Sequence, residues 1–217
     1  VPWESRLDPS DNPVPIPWVA YPDRVKDFYR TGSTVTTNVA VAGSNEKSNF
    51  RLSVTNLKNQ GIIPNTDLSR NNVTLAAGYH LSSKASVTTH VASPNNASHN
   101  RPTYNRGSVN NIVYTLTPNV DVHKLVDYWM PGEKGLQQNS PVPGGNDNPY
   151  FVAYESLNGF NRNRLAGDMQ LHVELVPGLT LMARTGLDYY NERRESRKAF
   201  SSVKFPQGAY ALDNLYF

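Results

Sequence analysis

TVTTNVAVAGSNEKSNFRLSVTNL, residues 34–57, carries the clearest structural pattern of this chain. Apolar side chains occupy alternate positions on both sides of a central Gly-Ser-Asn-Glu segment. Alternation with a period of two is typical of a β-strand that has one apolar face. The stretch therefore predicts a β-hairpin, and the same pattern extends over residues 34–92 as four strands in two hairpins.

The turn sets the register of this first hairpin. A two-residue turn at Ser44 and Asn45 would place Val39 opposite Phe50, so that both apolar sets share one face. A slip of one residue would put the two sets on opposite faces. We therefore expect the hairpin to present one continuous apolar stripe.

Two further hairpins follow the same rule. In the second, a turn at residues 82–84 brings Tyr79 opposite Val87. The third covers residues 162–191, where a Val-Pro-Gly turn brings Leu171 opposite Ala183. The sequence thus predicts about six strands, each long enough to cross a bilayer at a tilt.

The predicted connections differ in length at the two ends of the strands. Tight turns close each hairpin, whereas the remaining segments are long and rich in Pro, Asn or Gly: the Pro-rich residues 1–33, residues 93–161 and residues 192–217. Short periplasmic turns and long extracellular loops are typical of outer-membrane barrels. We expect an all-β, transmembrane, antiparallel up-and-down β-barrel in which the three long segments are extracellular loops.

Composition excludes several functional classes. The chain has 217 residues, a net charge of +3, no cysteine and a mean hydropathy of -0.55. The positive charge is dispersed, which argues against nucleic-acid binding, and no thiolate metal site is possible. The five histidines lack metal-ligand spacing, and neither a nucleophile elbow nor a phosphate-binding loop is present. We expect no enzymatic activity, no metal and no cofactor.

Polar residues on the strands are candidates for a water-filled lumen. Arg51, Arg164, Asp168 and Arg184 fall on the face opposite the apolar stripe, and Asp168 lies diagonal to Arg184. An ion pair that braces the wall is the simpler interpretation of these charges. In the long loop, Tyr128 and Trp129 could stack on a sugar ring or contact a partner, and they could equally pack the loop itself.

Alternation alone also fits a soluble antiparallel sandwich with one buried face. A soluble or surface β-sheet binding or adhesion module is therefore an alternative to the barrel.

Several segments of this chain resemble SusC/RagA-type TonB-dependent transporters. They are DFYRTGST at 27–34, VAGSNEKSNFRLS at 41–53, GIIPNTDLSRN at 61–71, NPYF at 148–151 and PGLTL at 177–181. The motifs follow the family's order and cover most of the chain from Trp3 to Tyr190.

The resemblance implies a 22-stranded barrel of the Gram-negative outer membrane, in which this chain would supply an internal segment. The remainder of the same barrel, outer-membrane lipid and a SusD-like surface lipoprotein would be its neighbours. TonB would act through an N-terminal region that this chain lacks. The implied function is import of oligosaccharides or peptides; a siderophore-type TonB-dependent receptor without the lipoprotein is the alternative within this class.

Overall fold

The computed structural model describes residues 17–104, 107–142 and 145–217. Its strands form one antiparallel sheet in sequence order, which confirms the predicted β-rich, up-and-down arrangement. The seven strands are Ser33–Ser44 (β1), Ser48–Gln60 (β2), Asp67–His80 (β3), Ala85–Ser98 (β4), Asn158–Val176 (β5), Leu179–Phe200 (β6) and Gln207–Tyr216 (β7). Within the described ranges β1 and β7 each pair with one neighbour, so the sheet is open.

Short helices occupy the connections. They are Arg24–Phe28 (α1), Val109–Thr115 (α2), the 3-10 helix Val122–Leu125 (η1) and Pro149–Glu155 (α3). Helix α1 lies in the Pro-rich segment 1–33, of which residues 1–16 fall outside the described part. Among the described residues, no helix is long and apolar enough to cross a membrane.

The structure has seven strands where about six were predicted, because residues 192–217, predicted as a loop, are largely strand. Strand β6 continues to Phe200, and β7 pairs with it from Tyr216 back to Gln207. The charged run at the end of β6 hid the strand, since charged residues have low strand propensity. Interstrand pairing on both sides of β6 overrides that propensity.

Strands also extend into the segment 93–161, which was predicted as a loop. Strand β4 continues to Ser98 and β5 begins at Asn158, so the connection predicted at 93–161 is confined to residues 99–157. Strands β2 and β3 are joined by residues 61–66 alone. The two ends of the sheet still differ in the length of their connections, because turns of two to four residues join the strands at the end opposite these loops.

The predicted register of the first hairpin was wrong. Val39 lies opposite Val54 and Val41 opposite Leu52, whereas Val39 was expected opposite Phe50. The turn begins later because the Asn45 side chain accepts hydrogen bonds from backbone amides of the turn, at 2.7 and 2.9 Å. The shift is an even number of residues, so the apolar sets still share one face.

The other two predicted registers are confirmed. Tyr79 pairs with Val87 in the second hairpin, and Leu171 pairs with Ala183 in the third. The third hairpin turns at Pro177 and Gly178, where Gly178 has a φ of 85°. A proline followed by a glycine with positive φ is the combination that a type II turn requires.

Apart from Ala199 of β6, the buried apolar side chains of the described residues belong to the connections and not to the faces of the sheet. One cluster is formed by Phe28, Ile63, Val113, Leu116, Val120, Val122, Leu125 and Tyr150. A second joins Ile112, Phe151 and Val152 to Ala199 of β6. The helices therefore form a small packed subdomain, the helical cap, at the end of the sheet away from the tight turns.

Asn148 is the polar centre of the helical cap. Its side chain is fully buried, and its Nδ2 donates to the carbonyls of Leu125 at 3.0 Å and Asn139 at 2.8 Å. Its Oδ1 accepts from the amides of Tyr150 at 2.8 Å and Phe151 at 3.4 Å, which caps α3. One side chain thus ties η1, the following loop and α3 together.

Replacing Asn148 by alanine should loosen the helical cap selectively. The change removes a helix cap and leaves buried carbonyls without donors, which costs about 3 kcal/mol. Hydrogen exchange should accelerate in α2, η1 and α3 while the sheet keeps its protection. The matched control is Asn111→Ala, on the exposed surface of α2; equal exchange in the two variants would contradict this role for Asn148.

Candidate functional site

Both faces of the sheet are open to the surroundings of the chain. On one face, large apolar side chains follow the alternation along every strand; we call this the apolar face. Its members include Leu52, Leu75 and Leu171, whose exposed fractions are 40%, 37% and 38%. Leu52 pairs directly with Leu75 across β2 and β3. These leucines therefore lie in a continuous exposed stripe, where a soluble sandwich would have buried them.

The opposite face, here called the polar face, carries most of the strand charges. All four predicted residues, Arg51, Arg164, Asp168 and Arg184, lie on it. The Arg184 Nε lies 3.4 Å from Asp168 Oδ2, which confirms the predicted diagonal pair. Because exposed ion pairs contribute about 0–1 kcal/mol, the pair orients the two side chains more than it stabilises the fold.

Asp168 is held from three directions. The Gln170 side chain donates to Asp168 Oδ2 at 2.9 Å, and His90 Nδ1 lies 3.8 Å from Oδ1. Arg184 completes the set. His90 and Gly186 are the direct cross-strand neighbours of Asp168, and the missing side chain at Gly186 leaves room beside the carboxylate.

A concave region of about 890 Å³ opens on the polar face around this carboxylate. Its charged and titratable lining residues are Arg51, His90, Asp168, Arg184 and Asp188. Arg51 has no ion pair among the described residues, so its guanidinium is available to a negatively charged group. The arrangement offers cations and two ion-paired carboxylates to a polar solute.

A second set of charges was missed from the sequence. The guanidinium of Arg164 forms a bidentate pair with Asp188, with Nε 2.7 Å from Oδ1. Asp188 is two residues from Tyr190, the cross-strand neighbour of Arg164, so the predicted register of this hairpin already contained the signal. Bidentate geometry fixes the orientation of both side chains on the sheet.

Glu192 is the most buried charge of the sheet, with 2% of its surface exposed. Its carboxylate accepts from Arg162 Nε at 2.5 Å and from Arg194 Nε at 2.6 Å. A buried carboxylate requires such partners because desolvation of an unpaired charge is costly. Sequence reasoning missed this cluster because residue 192 was assigned to a loop.

Tyr128 and Trp129 lie in the helical cap, half-buried against each other and against Phe151. The Tyr128 ring stacks on Tyr154 with centroids 6.0 Å apart, and its hydroxyl donates to Glu155 at 3.1 Å. Burial, together with this carboxylate, raises the pKa of Tyr128 to about 12. The two residues pack the loop, and contact with a ligand stays a prediction.

The described residues contain no cluster of three or more His, Cys, Asp or Glu side chains that could hold a metal ion. Asp147, in the Gly-Asn-Asp segment 145–147, stabilises the fold. Asp147 accepts from the Gln138 side chain at 2.6 Å and from the Val203 amide at 2.6 Å.

No family model and no curated protein matches this sequence. Two solved structures of a RagAB peptide importer share its fold. The structure in the closed-closed state is 17% identical with a TM-score of 0.63, and the structure in the open-open state is 19% identical with a TM-score of 0.62. Each match covers 81% of this chain and 19% of the importer chain. This chain thus spans about a fifth of the length of the importer chains whose fold it shares.

Proposed function

We propose that this chain forms part of the wall of an outer-membrane β-barrel that imports oligosaccharides or peptides. The observation that carries the proposal is a sheet with an uncovered apolar face and an ion-paired polar face. The fold shared with the RagAB peptide importer supports it. Transport in such a barrel requires movement of solute through a lumen and no bond chemistry in the wall.

Lipid is the medium that suits the apolar face. Val35, Val39 and Val41 on β1 are 63%, 70% and 60% exposed, and Leu179, Leu181 and Leu187 on β6 are 54%, 54% and 58% exposed. A stripe this extensive costs free energy in water, at roughly 25 cal/mol per Å² of apolar surface. In a bilayer the same side chains are solvated by hydrocarbon.

The open edges of β1 and β7 agree with a larger barrel. Unpaired amides and carbonyls have no partner in hydrocarbon, so a membrane sheet must close. The complete barrel would have 22 strands, and further strands of it would pair with both edges. The chain then contributes seven strands to the wall.

The polar face would line the lumen. Arg51, Arg164, Asp168 and Arg184 would meet water, solute or a plug domain there. The helical cap would lie on the extracellular side, where Tyr128 and Trp129 could contact a SusD-like surface lipoprotein or the solute. TonB would drive the cycle through an N-terminal region of the same protein.

Adjacent positions on β1 allow a direct test of lipid contact. Val39→Arg should lower the stability of the folded barrel in bilayers by about 2–4 kcal/mol, the cost of an arginine facing lipid near the midplane. Ala40→Arg, on the polar face, should cost much less, since surface substitutions lie within about 0.5 kcal/mol. Urea unfolding in liposomes measures both. In a soluble module both exposed positions would tolerate arginine equally.

Fractionation of the native protein tests the cellular assignment. The protein should remain with the outer membrane after carbonate washing, require detergent for extraction, and run faster on unheated gels. A surface lipoprotein should co-purify in equal amount. A folded 24 kDa species in the detergent-free fraction would indicate the soluble or surface adhesion module, and a barrel without the lipoprotein would indicate a siderophore-type receptor.

A further inference from the structure

A row of asparagines crosses the apolar face at its end near the helical cap. One asparagine from each of five consecutive strands takes part, in the order Asn56, Asn71, Asn95, Asn163 and Asn191. Each is the direct cross-strand neighbour of the next. We call this row the asparagine rung.

Hydrogen bonds connect much of the asparagine rung. Asn56 Nδ2 donates to Asn71 Oδ1 at 2.6 Å, and Asn95 Nδ2 donates to Asn163 Oδ1 at 2.7 Å. Asn163 in turn donates to Asn191 at 3.3 Å. Each amide has two donors and an acceptor oxygen, so the rung keeps further hydrogen-bonding capacity directed away from the sheet.

On β2 to β6 the asparagine rung marks the end of the apolar rows, whereas on β1 the apolar Val35 lies beyond it, opposite Lys58. On the side of the rung toward the tight turns lie rows such as Val54 paired with Val73 and Leu52 paired with Leu75. From the rung, β2 runs back to Ser48 and β5 runs on to Val176. With the rise per residue and the tilt of barrel strands, these two segments extend about 20–35 Å along the membrane normal. The lipid-facing band of an outer-membrane barrel has a height within this range.

Beyond the asparagine rung, the same face becomes charged. A cleft of about 400 Å³ opens there between β4, β5 and β6, and His99, Asn161, Arg193 and Glu195 are among its lining residues. Asn161 is the cross-strand neighbour of Arg193, and it accepts from Asn95 of the rung at 2.8 Å. The cleft is therefore continuous with the rung.

The charge of this strip is positive on balance. Lys58, Arg193 and Arg197 are its cations, and Asp67 and Glu195 are its carboxylates, from the alternation of β2, β3 and β6. The Asp67 carboxylate already accepts the backbone amides of His99 and Asn100, at 3.0 and 3.1 Å. Arginine binds phosphate well because its planar donors match two oxygens at once.

We propose that the asparagine rung and the Arg193 cleft form a binding surface for the phosphorylated sugar headgroup of an outer-leaflet glycolipid. The inference rests on the proposed membrane location of the chain. The acyl chains lie along the apolar face, the sugar hydroxyls bond to the amides of the rung, and a phosphate group sits against Arg193. The site lies on the outside of the wall, away from the solute path.

Lipid retention by the full-length protein tests this surface. The protein is inserted into phosphatidylcholine nanodiscs that contain lipid A, either in its bisphosphorylated or in its dephosphorylated form. Native mass spectrometry then counts the lipid A that stays bound. Wild-type protein should retain the bisphosphorylated form preferentially, and Arg193→Ala should reduce that retention about tenfold, equivalent to about 1.4 kcal/mol.

Two further variants separate the headgroup contact from general effects of charge. Arg193→Lys keeps the charge and should retain more lipid than Arg193→Ala. Lys84→Ala removes the same charge from the exposed tight turn between β3 and β4, at the other end of the sheet, and should behave as wild type.

Equal retention by Arg193→Ala and Lys84→Ala, or equal retention of the two lipids by wild type, would overturn this inference and leave the importer proposal intact. Failure of the protein to enter nanodiscs would overturn both.

Discussion

Interstrand hydrogen bonding constrains everything else in this molecule, because it forces neighbouring side chains onto opposite faces of one extended sheet. Among residues 17–104, 107–142 and 145–217, no second layer covers either face. One face therefore has to suit an apolar medium and the other an aqueous one. The exposed leucines and valines on one side and the Asp168 and Glu192 ion pairs on the other are two results of this single alternation.

Burial inside the chain is concentrated in the helical cap. Its aromatic and aliphatic side chains meet around Asn148, whose amide satisfies backbone groups from three segments. The described part of the connection between β4 and β5 is thereby a folded unit with a core of its own.

Period-two alternation was sufficient to predict six of the strands and two of three hairpin registers, and it placed Arg51, Asp168 and Arg184 on one face. It failed where a local side-chain contact decided the turn, as at Asn45. It also failed where pairing overrode composition, which concealed β7 and the Glu192 cluster. The helical cap was beyond prediction, because its core joins residues as distant in sequence as Phe28, Leu125 and Tyr150.

We propose that lipid covers the apolar face, and its contact with lipid can be measured directly. Because the chain contains no cysteine, single spin labels can be placed by Val39→Cys, Ala40→Cys, Leu52→Cys and Ser53→Cys in the reconstituted protein. Power-saturation spectroscopy then compares collisions with oxygen, which concentrates in lipid, and with a water-soluble nickel chelate. If lipid covers the apolar face, labels at positions 39 and 52 collide preferentially with oxygen, and labels at positions 40 and 53 with nickel. Equal access of nickel to both faces would contradict the proposal.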